Sequence, residues 1–294
     1  MASEASSPFD AVAEGYDGTF GRSPAGRLFR FRLAERIGAR LPRGSRLLDI
    51  GAGTGEDAVW FTQQGFEVLG LEPSSGMAAV ARAKAERAGV SVSFEGRGFE
   101  GFAPAAPFDA AYSDFGAMNC GPLAAWAAGL SRLVRPGGFL FLVLMGRRPL
   151  PALLRSGPEA WRRRGRATAP LGDRDVPVTY PGPKEVTAAL ASSFAITGTE
   201  TLGFLVPHPG VDDWPKRHPI FFGVLAGMER LATRRRAIAK RLLNERQMPM
   251  QRPANRLRHI RALKLDGVGQ SARTRALAAH ASAMESASTP DKLF

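Results

Sequence analysis

Ser45–Ala58, SRLLDIGAGTGEDA, is the stretch on which the fold turns. Its first half is a short apolar run set off by Pro42 and Gly44, the pattern of a buried strand. Gly51, Gly53 and Gly55 follow at once. Glycines there let the chain reverse tightly and bring bare backbone close to a ligand. EDAVWFTQQ (56–64) then reads as a helix that Gly65 ends.

Outward from this unit the pattern repeats. Upstream, RLFRFRLAERIGARL (27–41) has helical spacing. Downstream, FEVLGLE (66–72) predicts a strand, SSGMAAVARAKAERAG (74–89) a helix, VSVSFEG (90–96) a strand and FDAAYSD (108–114) a fourth strand. LAAWAAGLSRLV (123–134) predicts a helix closed by RPGG, and FLFLVLM (139–145) a fifth strand, nearly all apolar as a strand buried on both faces is. This alternation predicts an α/β fold: a doubly wound, mostly parallel sheet with right-handed crossovers and helices on both faces. Ligands of such sheets bind beyond the carboxyl ends of the strands.

Beyond Arg147 the alternation stops. The Pro-, Gly- and Arg-rich stretch 147–182 reads as a lid over the strand ends, followed by a helix at 184–191 and a sixth strand at 194–202. Residues 215–247 read as an amphipathic helix with Phe221, Val224, Leu225, Met228 and Leu231 as its apolar stripe. The expected division is a domain over 1–235 and a basic, helical to disordered tail over 236–294. The net charge of +13 is lopsided: residues 214–294 carry +12 and the rest only +1. Two readings of the tail stay open, a module making weak contact with a polyanion (nucleic acid or anionic lipid) and a terminus altered by a frame disruption. A single cysteine, Cys120, excludes an intrachain disulfide and a Cys-based zinc cluster. No His or carboxylate cluster has metal-ligand spacing, so no metal is expected. No apolar run is long enough to cross a bilayer and the N-terminus has no signal-like core, so the expected location is the cytoplasm.

The glycine motif departs from the dinucleotide fingerprint G-x-G-x-x-G, because its third glycine comes one residue early. Asp49 stands two residues before the first glycine. A carboxylate there suits an ammonium better than a pyrophosphate. Glu72 ends the second predicted strand, 21 residues after Gly51, where a carboxylate can accept both ribose hydroxyls.

On Asp49–Gly55, Glu72, the Phe108–Asp109 pair and the Pro136–Gly138 turn, the chain resembles the class I S-adenosylmethionine-dependent methyltransferases of small-molecule type, over about residues 9–146. The resemblance implies S-adenosylmethionine as cofactor. It implies that Gly51, Ala52 and Gly53 run under the methionine part, that Asp49 fixes the turn and the amino group, and that Glu72 holds the ribose. Pro73 and Met77 would flank the adenine, with Gly98 and Phe99 as its other wall. Ser113 and Phe115 would lie near the sulfonium, and Tyr16 would close over the methionine end. The acid that many relatives carry near the adenine is absent at Arg97, leaving Glu100 as a substitute.

The expected function is methyl transfer to a small-molecule oxygen, nitrogen or carbon nucleophile. Asp114 is the best-placed general base, and Asn119, Tyr180 and His208 are further acceptor-side candidates. SDFGAMNC (113–120) lacks the Asn/Asp-Pro-Pro-aromatic element used on nucleobase nitrogens. The alternatives are an RNA or protein methyltransferase guided by the basic tail, a non-catalytic cofactor-binding domain and, more remotely, a nicotinamide dehydrogenase.

Overall fold

The computed structural model describes residues 7–21, 23–114, 117–121, 123–145, 166–171, 174–200, 202, 206 and 214–229. Its centre is a five-stranded sheet of β1 (Arg46–Ile50), β2 (Glu67–Leu71), β3 (Ser93–Glu95), β4 (Phe108–Ser113) and β5 (Val134–Leu142). The spatial order is β3-β2-β1-β4-β5 and every pairing is parallel. The order reverses between β1 and β4, so the crevice at their carboxyl ends is the switch point where such sheets take ligands.

Strand alternation sorts the side chains into two cores. Leu47, Ala110 and Tyr112 face one side, against α1 (Pro24–Gly38), α2 (Glu56–Gln63) and α3 (Ser75–Arg87) through Ile37, Phe61 and Ala81. Leu48, Ile50 and Ala111 face the other, against α4 (Leu123–Leu133) and α5 (Pro183–Leu190) through Trp126, Leu130 and Leu190. Both faces are therefore covered by helices, as a doubly wound sheet requires.

One register row matters for the site. Tyr112, Asp49, Gly70 and Phe94 lie side by side across β4, β1, β2 and β3. Gly70 makes room there: a Cβ would come within 2.6 Å of the Phe94 ring and 3.0 Å of the Ala52 Cβ in the glycine turn.

The structure revises the sequence reading in four places. The RPGG stretch does not precede β5 but bulges within it: Phe108 pairs with Val134 and Ala110 with Phe139. Gly138 is needed in that bulge, because a Cβ would meet the Asp109 carbonyl at 2.6 Å. The expected sixth strand is not formed by 194–200. Instead Glu200 bridges Arg32 at 3.2 Å and Arg36, both on α1, so charge holds this segment against a helix rather than against β5.

The expected lid contains an antiparallel hairpin, β6 (Arg166–Leu171) and β7 (Arg174–Thr179). Of the predicted stripe, the helix α6 (219–229) turns Leu225 inward but not Phe221, Val224 or Met228. Phe222, Leu225 and Ala226 pack on Leu28 and Phe29 of α1, and the buried Glu229 accepts a hydrogen bond from the Val206 N–H at 3.1 Å. Ile220, at 85% exposure, Phe221, Val224 and Met228 face outward. Leu231, residues 147–165 and 172–173 of the lid, and the whole of 236–294, with the proposed domain boundary and polyanion contact, lie outside the described residues.

Gly70→Ala is expected to destabilise the protein by about 1–3 kcal/mol through overpacking against the buried Phe94 ring. Urea denaturation with an unchanged m-value measures it; a change within about 0.5 kcal/mol would show that the row has slack.

Candidate functional site

The end of β2 organises the turn that follows β1. The Leu71 carbonyl accepts from the N–H groups of Gly51 (2.9 Å) and Ala52 (3.0 Å). One oxygen of Glu72 accepts from Gly53 N–H and the other from Ser74 N–H, each at 2.8 Å. Making three successive N–H groups face β2 forces positive φ at Gly51 (74°) and Gly53 (54°), a region costly for residues with a Cβ. The glycines differ in what surrounds them. At Gly51 a Cβ would strike Ala117, and at Gly55 it would strike Ala81 and Phe94, whereas above Gly53 nothing lies within 4 Å. The turn is thus packed at both ends and open in the middle.

Four carboxylates gather around this opening. Asp49 is buried and its Oδ2 has no hydrogen-bond partner among the described residues. Burial first, and then the charge of Asp57, push its carboxyl well above the usual carboxylate range. Tyr112, its register neighbour, pulls the other way. Burial also raises Glu72, against the two N–H groups that stabilise its charge. Asp57, at the start of α2, is raised by burial and restrained by Arg30, whose Nε lies 3.1 Å away. Asp114 follows β4 and is buried too. Arg30 stays protonated: burial opposes its charge, but Asp57, Asp114 and Glu56 outweigh that.

The remaining predicted residues fall into distinct roles. Tyr16 is half-buried, and burial drives its hydroxyl up to about 12. Arg30, Glu72 and Asp114 all act on it electrostatically. Ser113 is buried with its Oγ unpartnered among the described residues. Met77 is buried, Pro73 exposed, and Gly98 half-buried beside the Glu100 carboxylate. Phe99 belongs to the core around Trp126 and presses on Gly129 of α4. Asn119 is 0% exposed. Its Nδ2 donates to the Met145 carbonyl (3.0 Å) and the Thr179 carbonyl (2.5 Å), and its Oδ1 accepts from Met145 N–H at 3.0 Å. Its amide is committed to backbone, so it pins the β6–β7 hairpin to the exit of β5 rather than offering a group for proton transfer. Tyr180 is half-buried just after β7, while Phe115 and His208 lie outside the described residues.

The sequence reading omitted Arg30, Asp57, Asp10, Asp17 and Lys84. The signal for two of them was in the chain: FDAVAEGYDGTF (9–20) spaces two aspartates seven residues apart around Tyr16.

Residues 47–138 match the family model described as a methyltransferase domain. These residues, about a third of the chain, are similar to that domain. Among curated relatives, a demethylmenaquinone methyltransferase from Beutenbergia cavernae is 35% identical over 134 residues, 45% of this chain and 54% of that one. A malonyl-[acyl-carrier protein] O-methyltransferase from Enterobacter lignolyticus is 33% identical over 134 residues, 45% of this chain and 50% of that one. The chain thus spans about half the length of the curated relatives it matches. Among solved structures, an amino pentose methyltransferase from Micromonospora echinaspora with SAM bound is 22% identical, at a TM-score of 0.44, over 59% of this chain and 84% of that one. Among the described residues no helix is long and apolar enough to cross a membrane, and no group of three or more His, Cys, Asp or Glu residues is arranged to hold a metal ion.

The raised carboxyl of Asp49 makes a stability prediction for the methyltransferase domain. An acid whose folded pKa exceeds its unfolded value is protonated more readily in the native state. Its contribution therefore turns against folding as pH rises above the ordinary carboxylate value of 3.8 toward the raised one. Asp49→Asn is expected to raise the melting temperature of the ligand-free protein at pH 7 and to change it little at pH 4. A thermal scan showing equal shifts at both pH values would reject the electrostatic origin.

Proposed function

We propose that this domain transfers a methyl group from S-adenosylmethionine to a small-molecule nucleophile. The observation that carries the proposal is the crevice at the switch point: a glycine turn open above Gly53, bordered by Glu72 and by a buried Asp49 oxygen that has no partner among the described residues. Four carboxylates against one guanidinium suit a ligand that brings positive charge. The cofactor supplies an activated methyl on a cationic sulfonium, and its amino acid end carries an ammonium. Asp49 would accept from that ammonium. Each Glu72 oxygen accepts one backbone N–H and keeps a second lone-pair site, which leaves room for ribose hydroxyls. Ala52 and Gly53 would support the methionine part, and Ser113 would offer its hydroxyl near the sulfonium.

On the acceptor side, Asp114 is the base for an acceptor that must lose a proton. Tyr16, with its hydroxyl raised to about 12, remains protonated near neutrality and acts as a hydrogen-bond donor, not a base. The hairpin pinned by Asn119 would bound the acceptor pocket, and proximity supplies most of the rate in such a transfer. The relatives support the small-molecule reading, since one is named for demethylmenaquinone and the other for a carrier-bound malonyl group. The basic-tail alternative draws no support from the described residues. A cytoplasmic location is part of this reading.

Calorimetric titration with S-adenosylhomocysteine tests it. Wild-type protein should bind, and Glu72→Ala should weaken binding by about 1.5–3 kcal/mol, the worth of hydrogen bonds to a charged group. Because the ammonium favours ionised Asp49 and this carboxyl is raised, binding should release a proton and tighten as pH rises from 5 to 7. Titrations in two buffers of different ionisation enthalpy measure that release, and Asp49→Asn should abolish it. No binding to folded wild-type protein would refute the cofactor assignment.

A further inference from the structure

Five large apolar side chains are exposed among the described residues, and four of them, Ile220, Phe221, Val224 and Met228, stand on α6. At 100° of turn per residue they fall within an arc of about 100°. Each is more than half exposed, and Ile220 reaches 85%. Gly223 and Gly227 continue the same side, and a Cβ at either would meet nothing within 4 Å. No residue from Ile220 to Met228 is ionisable. The opposite side of the helix is apolar as well, with Phe222, Leu225 and Ala226 packed on Leu28 and Phe29 of α1. A helix apolar on all sides is one that expects cover on all sides.

The outward face cannot be removed by rolling the helix. Rotation would expose Phe222 and take the buried Glu229 away from the Val206 N–H. The four side chains therefore stay at the surface until something else covers them.

Charge and area identify the cover. Lys216 and Arg217 precede the helix, and residues 230–241 hold six Lys or Arg and no acid. The basicity of the chain is concentrated here, since 214–294 carry +12 of the net +13. An apolar strip between cationic stretches matches negative headgroups above hydrocarbon. A second copy would bring the same cations against one another. Four side chains exposing on the order of 100 Å² each also supply only about half of the roughly 800 Å² per partner that a stable dimer buries. A nucleic acid would engage the cations through its phosphates and leave the apolar strip in water. Spanning 219–229, the helix is about 16 Å long, so it can lie on a bilayer but not cross one.

We propose that α6 docks on an anionic lipid bilayer, with Ile220, Phe221, Val224 and Met228 in the acyl boundary and the flanking cations at the headgroups. This surface belongs to α6 and the charge around it, and stands whatever the crevice binds.

Flotation of the full chain with two kinds of vesicle tests it, phosphatidylcholine alone and phosphatidylcholine mixed with phosphatidylglycerol. Wild type should float with the mixed vesicles, weakly with the neutral ones, and less as salt rises from about 0.1 to about 0.5 M. Ile220→Asn/Val224→Asn should weaken binding to the mixed vesicles on the order of 100-fold, about tenfold for each apolar side chain withdrawn. Amides of 219–229 should exchange more slowly when mixed vesicles are present. The substituted side chains are exposed, so melting temperatures should match wild type. If the double variant does not fold, Met228→Gln, expected to weaken binding about tenfold, asks the same question. Three results would overturn the proposal: folded wild type that stays with neither vesicle, binding to mixed vesicles that salt abolishes but the α6 variants leave unchanged, and equal binding to both vesicles. Sedimentation showing a wild-type dimer that the double variant converts to monomer would overturn it too, by assigning the face to a second copy.

Discussion

The hydrogen bonds from the end of β2 to the turn after β1 are the constraint on which the rest depends. Leu71 and Glu72 take the N–H groups of three consecutive residues, Gly51 to Gly53. That arrangement is compatible only with positive φ at the first and third of them, hence with glycine. It also fixes where Glu72 points, and through Ser74 where α3 begins. A glycine in the adjoining register row, Gly70, lets Phe94 lie under Ala52 and support the turn from below. Backbone geometry, not a reactive side chain, thus defines the crevice, and side chains are then added at its rim.

Those rim groups work against stability. Asp49, Asp57 and Glu72 are all raised by burial, so each ionises at a cost that one guanidinium, Arg30, offsets only in part. A buried polar atom without a partner carries a similar penalty, and Asp49 Oδ2 is such an atom. A cationic ligand relieves both penalties at once. The folded ligand-free domain therefore holds unfavourable charge that binding converts into affinity, a trade often met where a site is organised before its ligand arrives.

How much of this was legible depended on the range of the interactions involved. The glycine turn, the strand ends and Glu72 follow from local pattern, because φ preferences and strand alternation act over a few residues. The two-sided core was also legible, since Leu47 and Leu48 sort by simple alternation. The inward face of α6 was legible only at Leu225, because the partners of Phe222 and Glu229, Phe29 and Val206, lie far along the chain. The failure of 194–200 to become a strand has the same origin: Glu200 meets Arg32, 168 positions away. Asn119 read as an acceptor-side group because its position after β4 was visible and its partners, Met145 and Thr179, were not. Arg30 was hidden by its helix, where a cationic residue normally faces water.

The β6–β7 hairpin and the N-terminal residues 9–21 are held to the sheet domain in different ways. The hairpin side is pinned by Asn119 through neutral bonds to backbone, with Thr179 returning a bond to the Asn119 carbonyl. Such a reciprocal, fully satisfied pair has no charged alternative partner and favours a fixed wall. The N-terminal side is held by carboxylates whose partners are hydroxyls, one backbone N–H and a lysine that already has a second acid. When these bonds break, water and Glu56 replace them at modest cost. The chain thus has an amide clamp at the hairpin and an acid–lysine fastening at residues 9–21, a fixed element and an exchangeable one.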